Sequence, residues 1–268
     1  MEDITGKVAF ITGGGSGIGL GMAEAFLSAG MKVAIADIRT DRMAEAASQL
    51  KEKGHEVLSV EADVRSPEEL SKAADAVEAA YGKVHVVCNN AGVGGGGMFE
   101  EMGLAAWERV LDINLWGVVH GAHVFAPRIK KHGEGGHIIN TASIMGMIPG
   151  KSISMYSTSK FAVVGFSECL RQDLADDNIG VSVVCPFIVD TRLWHPDLED
   201  DDAEGIAQRK QNMPVMKLAL QPLAVGEMAL KAIQNNSMYV FGDGDASRQM
   251  VRKRIQGILD EFDQQFPE

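Results

Sequence analysis

Short runs of β-branched and other apolar residues recur along this chain, separated by stretches with helical spacing. The runs are "KVAFIT" (7–12), "KVAIAD" (32–37), "EVLSVEAD" (56–63), "VHVVCN" (84–89), "HIINTAS" (137–143), "VSVVCP" (181–186) and "SMYVFG" (237–242). The early runs are almost continuously apolar rather than alternating, which fits strands covered on both faces, as in a parallel sheet. Between them "MAEAFLSAG" (22–30), "RMAEAASQLKEKG" (42–54) and "ELSKAADAVEAAYG" (69–82) place apolar residues on one helical face and end at glycine, a helix stop. Strand, helix and strand joined by short connections predict right-handed βαβ units wound into one parallel sheet of about seven strands, with helices on both faces. No Pro/Gly-rich linker divides the chain, so residues 1–268 are expected to form a single domain. Sheets of this class bind ligands beyond the C-terminal ends of their strands.

The first such end reads "TGGGSGIG", with Gly13, Gly17 and Gly19 spaced G-x-x-x-G-x-G. Glycines there let the backbone approach a pyrophosphate, and a helix starting near Ile18 aims free amides and its positive dipole end at the phosphates. A plain strand-to-helix turn would use the same glycines. Asp37, at the end of the second strand and eighteen residues past Gly19, favours the dinucleotide reading. A carboxylate there accepts both hydroxyls of an adenosine ribose and repels a 2′-phosphate, which points to NAD rather than NADP and to a Rossmann fold. Asp37 as a helix cap is the alternative, and Arg39 is the nearby residue able to soften the preference.

Later in the chain stand "CNNAG" (88–92), "DINLWG" (112–117), "NTASIMG" (140–146) and "SISMYSTSK" (152–160). With these motifs in this order, residues 4 to 191 resemble the short-chain dehydrogenase/reductase family in its single-domain branch. The resemblance implies a tetrad of Asn114, Ser143, Tyr156 and Lys160. It implies that Asn114 keeps a local helix distortion and a water leading to Lys160, and that Lys160 also holds the nicotinamide ribose. It further implies NAD contacts at Thr12, Gly13, Ser16, Gly17, Ile18, Gly19, Asp37, Ile38, Asp63, Val64, Asn90, Ala91, Gly92, Tyr156, Lys160, Pro186, Val189 and Thr191.

Elementary chemistry supports the tetrad independently. Residues at i and i+4 share a helix face, so the Tyr156 phenol and Lys160 ammonium project the same way. A phenol with a pKa of about 10 is a poor acceptor at neutral pH, and a fixed cation beside it is expected to lower that value. The Ser143 hydroxyl can hold a substrate oxygen, and a helix cap is its alternative role. Tyr81 and Tyr239 have His85 and Asp243 four residues on, so neither is followed by such a lysine. The chain is therefore expected to be an oxidoreductase passing a hydride between NAD(H) and a secondary alcohol or ketone. Two other readings are a dinucleotide-binding regulatory module without turnover and an epimerase or dehydratase using the same tyrosine.

The family pattern thins after the sixth strand. In "CPFIVDT", Pro186 and Thr191 match while Phe187 replaces a small residue. Residues 192–221 are expected to form a substrate lid, and its apolar character with that of the pocket suggests a hydrophobic substrate, aromatic or steroid-like. A final helix over 246–265 carries an apolar stripe that is expected to pack on something. Val118, Val119, Val124, Phe125 and Ile129, with Phe161, Val163, Val164, Phe166 and Leu170, offer more apolar surface than one sheet face covers, so a homo-oligomer is expected, a tetramer rather than a dimer.

A formal net charge of −12 argues against nucleic acid as a partner. No apolar run is long enough for a membrane helix and none resembles a signal peptide, and the odd, isolated Cys88, Cys169 and Cys185 suggest buried thiols in a reducing, cytoplasmic setting. His120 and His123 have helical spacing but no third ligand beside them in sequence, so a structural role is expected and no metal site. The acidic run Glu199–Asp202 reads as a solvated face, "GVGGGG" (92–97) as a turn that can shape the substrate mouth, and "MGMIP" (145–149) as either core or pocket wall.

Overall fold

In the computed structural model, which describes residues 1–194, 213–242 and 244–267, Val8–Thr12 (β1) pairs in parallel with Lys32–Asp37 (β2) on one side and Val86–Asn89 (β4) on the other. Leu58–Glu61 (β3) closes one edge beyond β2, while Gly136–Thr141 (β5), Ile179–Cys185 (β6) and Tyr239–Phe241 (β7) continue the opposite side. The sheet has seven strands in the order β3-β2-β1-β4-β5-β6-β7. Strand order reverses between β1 and β4, which leaves a crevice above their C-terminal ends.

β1 and β4 are buried throughout, in agreement with their unbroken apolar sequences. The third strand is shorter than "EVLSVEAD" suggests and alternates between half-buried and exposed. As the edge strand it has a neighbour on one side only, so pairing ends where the alternation of Ser59 and Glu61 faces water.

Gly17–Ser28 (α1), Thr40–Glu52 (α2) and Pro222–Asn235 (α7) cover one face; Met22, Phe26, Met43, Leu50, Val225 and Ile233 form a core with Ile11 and Ile35 of the sheet. Pro67–Tyr81 (α3) and Gly117–His132 (α5) bury Leu70, Val77, Phe125 and Ile129 against Phe10, Val87 and Ile138 on the other face. Leu104–Leu111 (α4) leads into α5, and Ser154–Asp173 (α6) packs beside it through Val163 and Val164. Local sequence explains the helix ends. α3 opens with Ser66 accepting the Glu69 amide at 3.1 Å and with Pro67 in its first turn, then stops at Gly82, whose φ is 86°.

α1 and α7 cross at backbone contact. A Cβ on Gly21 would lie 2.2 Å from the Pro222 carbonyl oxygen, and one on Gly226 would lie 2.2 Å from the Gly21 oxygen, so no larger residue fits at either position.

Several expectations change. Asp245–Gln265 (α8) is a helix, but within the described residues of this chain it buries only Ser247; Ile255, Ile258, Leu259 and Phe262 stay exposed. Its contact with the body includes the Arg254 guanidinium 5.0 Å from the Phe161 ring centroid. Cys88 and Cys185 are buried, whereas Cys169 is exposed because it falls on the outward side of α6. On the paired helices, Val118, Phe125, Ile129, Val163 and Val164 are already covered by this chain's own core, leaving Val119, Val124, Phe161, Phe166 and Leu170 partly exposed. Most of the expected lid, with Glu199–Asp202, lies outside the described residues.

Candidate active site

The four expected tetrad residues come from three places. Asn114 lies in a π-helical turn, Asp112–Trp116, between α4 and α5; Ser143 follows β5; Tyr156 and Lys160 stand one turn apart on α6. The extra residue in a π turn breaks the regular ladder of carbonyls and amides, and this is the helix distortion expected at Asn114. Asn114 is fully buried, and its Oδ1 accepts from the Val93 amide at 2.8 Å while Nδ2 donates to the Val93 carbonyl at 3.0 Å and to Ser159 Oγ at 3.2 Å. Ser159 donates in turn to the Tyr156 carbonyl at 2.7 Å. The π turn, the strand-end loop after β4 and the first turn of α6 are thus locked together.

Ser143 Oγ accepts from the Met145 amide at 3.2 Å, capping the turn after β5, and its hydroxyl stands near the Tyr156 phenol. Lys160 Nζ lies 5.6 Å from the Tyr156 ring centroid and donates to the Thr141 carbonyl at 2.9 Å. The electrostatics correct one expectation. Burial raises the Tyr156 pKa, and the Ser143 hydroxyl, not Lys160, is what opposes that rise. Burial also pushes the Lys160 ammonium down to about 8. Both charged forms are penalised by the same desolvation, so phenolate and ammonium are favourable mainly as a pair.

The phosphate loop meets its structural requirements. A Cβ on Gly19 would sit 2.2 Å from the Gly13 carbonyl oxygen and 2.7 Å from Asn90 Nδ2, so the α1 terminus approaches the strand-end loop as closely as backbone allows. The open amides of the first turn of α1 follow Ser16 and Gly17. Asp37 ends β2 beside this loop, with Oδ2 accepting from the Gly15 amide at 3.3 Å and Oδ1 from the Arg39 amide at 3.1 Å. The Arg39 guanidinium is paired with Asp41 at 2.6 Å. This glycine cradle with a carboxylate at its ribose end fits a dinucleotide.

Other expected contact residues surround the same crevice. Thr12 Oγ1 accepts from the amides of Asn90 at 2.9 Å and Ala91 at 3.0 Å, and Gly92 lies against Asn114 and Lys160. Thr191 touches Gly17, Val189 bridges in parallel to Leu220, and Pro186 accepts from the Ile144 amide at 2.9 Å. Farther out, Ile38 is exposed at the end of β2. Asp63 is engaged by Arg65, whose Nη2 donates at 2.5 Å, and the Val64 carbonyl accepts from His120 at 3.0 Å. That bond gives His120 a structural role, while His123 points outward.

"GVGGGG" is not a free turn. Gly94 rests on Leu193, Gly95 on Met155 and Val110, and the Gly97 amide donates to Ser152 at 2.8 Å. The methionines of "MGMIP" divide: Met147 joins the core around Val163, whereas Met145 lies by the Gly150 turn. Phe187 is half-buried.

The short chain dehydrogenase family profile matches residues 7–202. This chain belongs to the short-chain dehydrogenase/reductase family. It is similar to a short-chain dehydrogenase/reductase from Burkholderia phymatum solved in complex with NAD, with a TM-score of 0.88 and 34% identity over 97% of each chain. It is 37% identical over 242 residues to the 1-deoxy-11-beta-hydroxypentalenate dehydrogenase of Streptomyces exfoliatus, covering 90% of this chain and 84% of the relative. It is also 37% identical over 183 residues to the probable oxidoreductase EphD of Mycobacterium tuberculosis, covering 68% of this chain but only 31% of that longer protein.

For a short-chain dehydrogenase, two polar side chains escaped the sequence reading. Ser159 and Thr141 each stand next to a recognised motif, in "STSK" and "NTAS", and spacing alone does not distinguish either from a filler residue.

Proposed function

We propose that this chain is an NAD-dependent oxidoreductase that interconverts a secondary alcohol and a ketone. The observation that carries the reading is the juxtaposition of the Tyr156 phenol with the Ser143 hydroxyl and, 5.6 Å from its ring centroid, the buried Lys160 ammonium, beside a glycine cradle fit for a dinucleotide. Ser143 and Tyr156 together hold the reacting oxygen: in the oxidative direction Tyr156 Oη takes the hydroxyl proton, and in the reductive direction it returns it. Lys160 keeps the phenolate in a favourable charge state, and Asn114 fixes the loop and helix turn around it. Bound NAD supplies the hydride acceptor, held by the loop from Thr12 to Gly19 and by Asp37.

NAD is favoured over NADP because Asp37 faces the ribose end and Arg39 is committed to Asp41. The NAD-bound Burkholderia structure supports that choice. The substrate is hydrophobic, aromatic or steroid-like; the exposed Leu193 against Gly94 and the Streptomyces relative, named for a hydroxypentalenate, support that reading. We assign the protein to the cytoplasm. Buried, unbridged Cys88 and Cys185 support a reducing compartment, and no helix among the described residues is long and apolar enough to cross a membrane. A panel of hydrophobic secondary alcohols screened with NAD by absorbance of NADH tests the proposal. Turnover of at least one alcohol is expected; NADH binding without turnover of any alcohol or ketone would favour a regulatory module instead.

A further inference from the structure

Thr141 occupies the last position of β5, buried, and makes two bonds that lead in opposite directions. Its carbonyl accepts from Lys160 Nζ at 2.9 Å. Its hydroxyl donates to Asn90 Oδ1 at 3.1 Å. Asn90 Nδ2 then donates to the Thr12 carbonyl at 3.0 Å and approaches the Gly13 carbonyl at 3.4 Å. The same amide nitrogen is wedged where a side chain on Gly19 would be, 2.7 Å from that ideal Cβ. An asparagine amide can present either end to a neighbour, and only one end donates. The Thr12 and Gly13 carbonyls can only accept, so they take the nitrogen end; the oxygen end then faces β5, where the Thr141 hydroxyl donates to it.

We propose that Thr141 is a positioning residue whose hydroxyl holds the oxygen end of the Asn90 amide and so ties the phosphate-binding loop to the strand end that anchors Lys160. The inference rests on the dinucleotide reading for its binding consequence, but the ordering of the loop is a property of the chain itself. Without the hydroxyl, Asn90 Oδ1 loses its donor, and the amide that serves the Thr12 and Gly13 carbonyls is held from one end only. The carbonyl that holds Lys160 stays, because it belongs to the backbone.

Thr141→Val and Thr141→Ser separate these effects. Hydrogen exchange of the amides from Gly13 to Gly19, measured on cofactor-free protein, is expected to quicken several-fold in Thr141→Val and to return to the parent rate in Thr141→Ser. The dissociation constant for NADH, read by fluorescence titration, is expected to weaken roughly three- to tenfold in the valine variant, the loss of about one hydrogen bond, and to recover in the serine variant. The pH dependence of turnover keeps its shape in both. Unchanged exchange in the loop of Thr141→Val would overturn the proposal, as would a serine variant as impaired as the valine one. If the parent protein fails to bind NADH, the dinucleotide reading falls while the exchange comparison still decides the role of Thr141. Should the valine variant fail to fold, Thr141→Cys, of similar volume and a weaker donor, serves in the same comparison.

Discussion

Asn114 grips Val93 by both backbone groups, its Oδ1 2.8 Å from the Val93 amide and its Nδ2 3.0 Å from the Val93 carbonyl. Each end of one carboxamide matches one of the two backbone groups of a single residue, a geometry no other side chain but glutamine could offer and which glutamine's extra methylene would displace. Asn114→Asp keeps the size but turns the donor into an acceptor facing the Val93 carbonyl and Ser159. This variant is expected to lose at least tenfold in kcat and about 2 kcal/mol in stability, from buried groups left unmatched. Chemical denaturation alongside steady-state kinetics checks both, and parent-like kinetics would remove Asn114 from the functional site.

Tyr156→Phe removes one oxygen and preserves the ring. Turnover is expected to vanish against background, a loss of at least a thousandfold, or about 4 kcal/mol in the barrier, while NADH binds within a few fold of the parent. Paired kinetics and titration check this. A defect confined to cofactor affinity would refute the proton-transfer role.

Asp37→Ser should relax cofactor choice. The parent is expected to prefer NAD by about tenfold or more, equivalent to about 1.4 kcal/mol of repulsion between a carboxylate and a 2′-phosphate. The ratio of kcat/KM for the two cofactors measures it. Equal efficiency in the parent would mean that a cation near β2 outweighs Asp37.

His137 is buried on β5, and its Nε2 donates to Ser182 Oγ at 2.7 Å. Burial pushes its pKa down to about 3 from an ordinary value of 6.5. As a base whose folded pKa is depressed, it takes up a proton in the unfolded chain first, so stability is lost as pH falls from about 6.5 toward 3. At pH 4.5 this one group is expected to cost about 2 to 3 kcal/mol. Urea midpoints at pH 7.5 and 4.5 should differ less in His137→Asn than in the parent; an equal shift in both would exclude His137 as a source of acid sensitivity.

Assembly follows from the faces left open. Val119 and Val124 border a groove between α3 and α5 that also exposes Trp116, and α8 carries its apolar stripe away from the core. We propose that a homo-oligomer, a tetramer before a dimer, covers such surfaces. Sedimentation at micromolar concentration is expected to show a species several times the chain mass of 28.7 kDa. A single species at the chain mass would mean that these faces stay in water.

The sheet was legible because β1, β2 and β4 carry unbroken apolar runs such as Val33–Ala36, and a strand covered on both faces writes its environment into consecutive residues. The site was legible where chemistry requires particular side chains, as at Tyr156, Lys160 and Asp37. What stayed hidden depends on distance in sequence. Desolvation of Tyr156, which the spacing to Lys160 does not reveal, reversed its expected pKa shift. The hydroxyl of Thr141 acquires meaning only when Asn90, fifty-one residues earlier, is brought beside it. The stripe on α8 gave a true helix but no partner, because amphipathicity specifies that a face wants cover without saying which molecule provides it.

The contact between Gly21 and Pro222 has a consequence for how the protein is made. A ribosome releases the phosphate loop and α1 early, yet the surface that seals the outer side of α1 is some two hundred residues later in translation. Until α7 emerges, the glycine face of α1 around Gly21 has no cover. The nucleotide-binding half is therefore expected to mature only once α7 has emerged, and a chain cut before residue 226 is expected to occupy chaperones rather than form a smaller working domain.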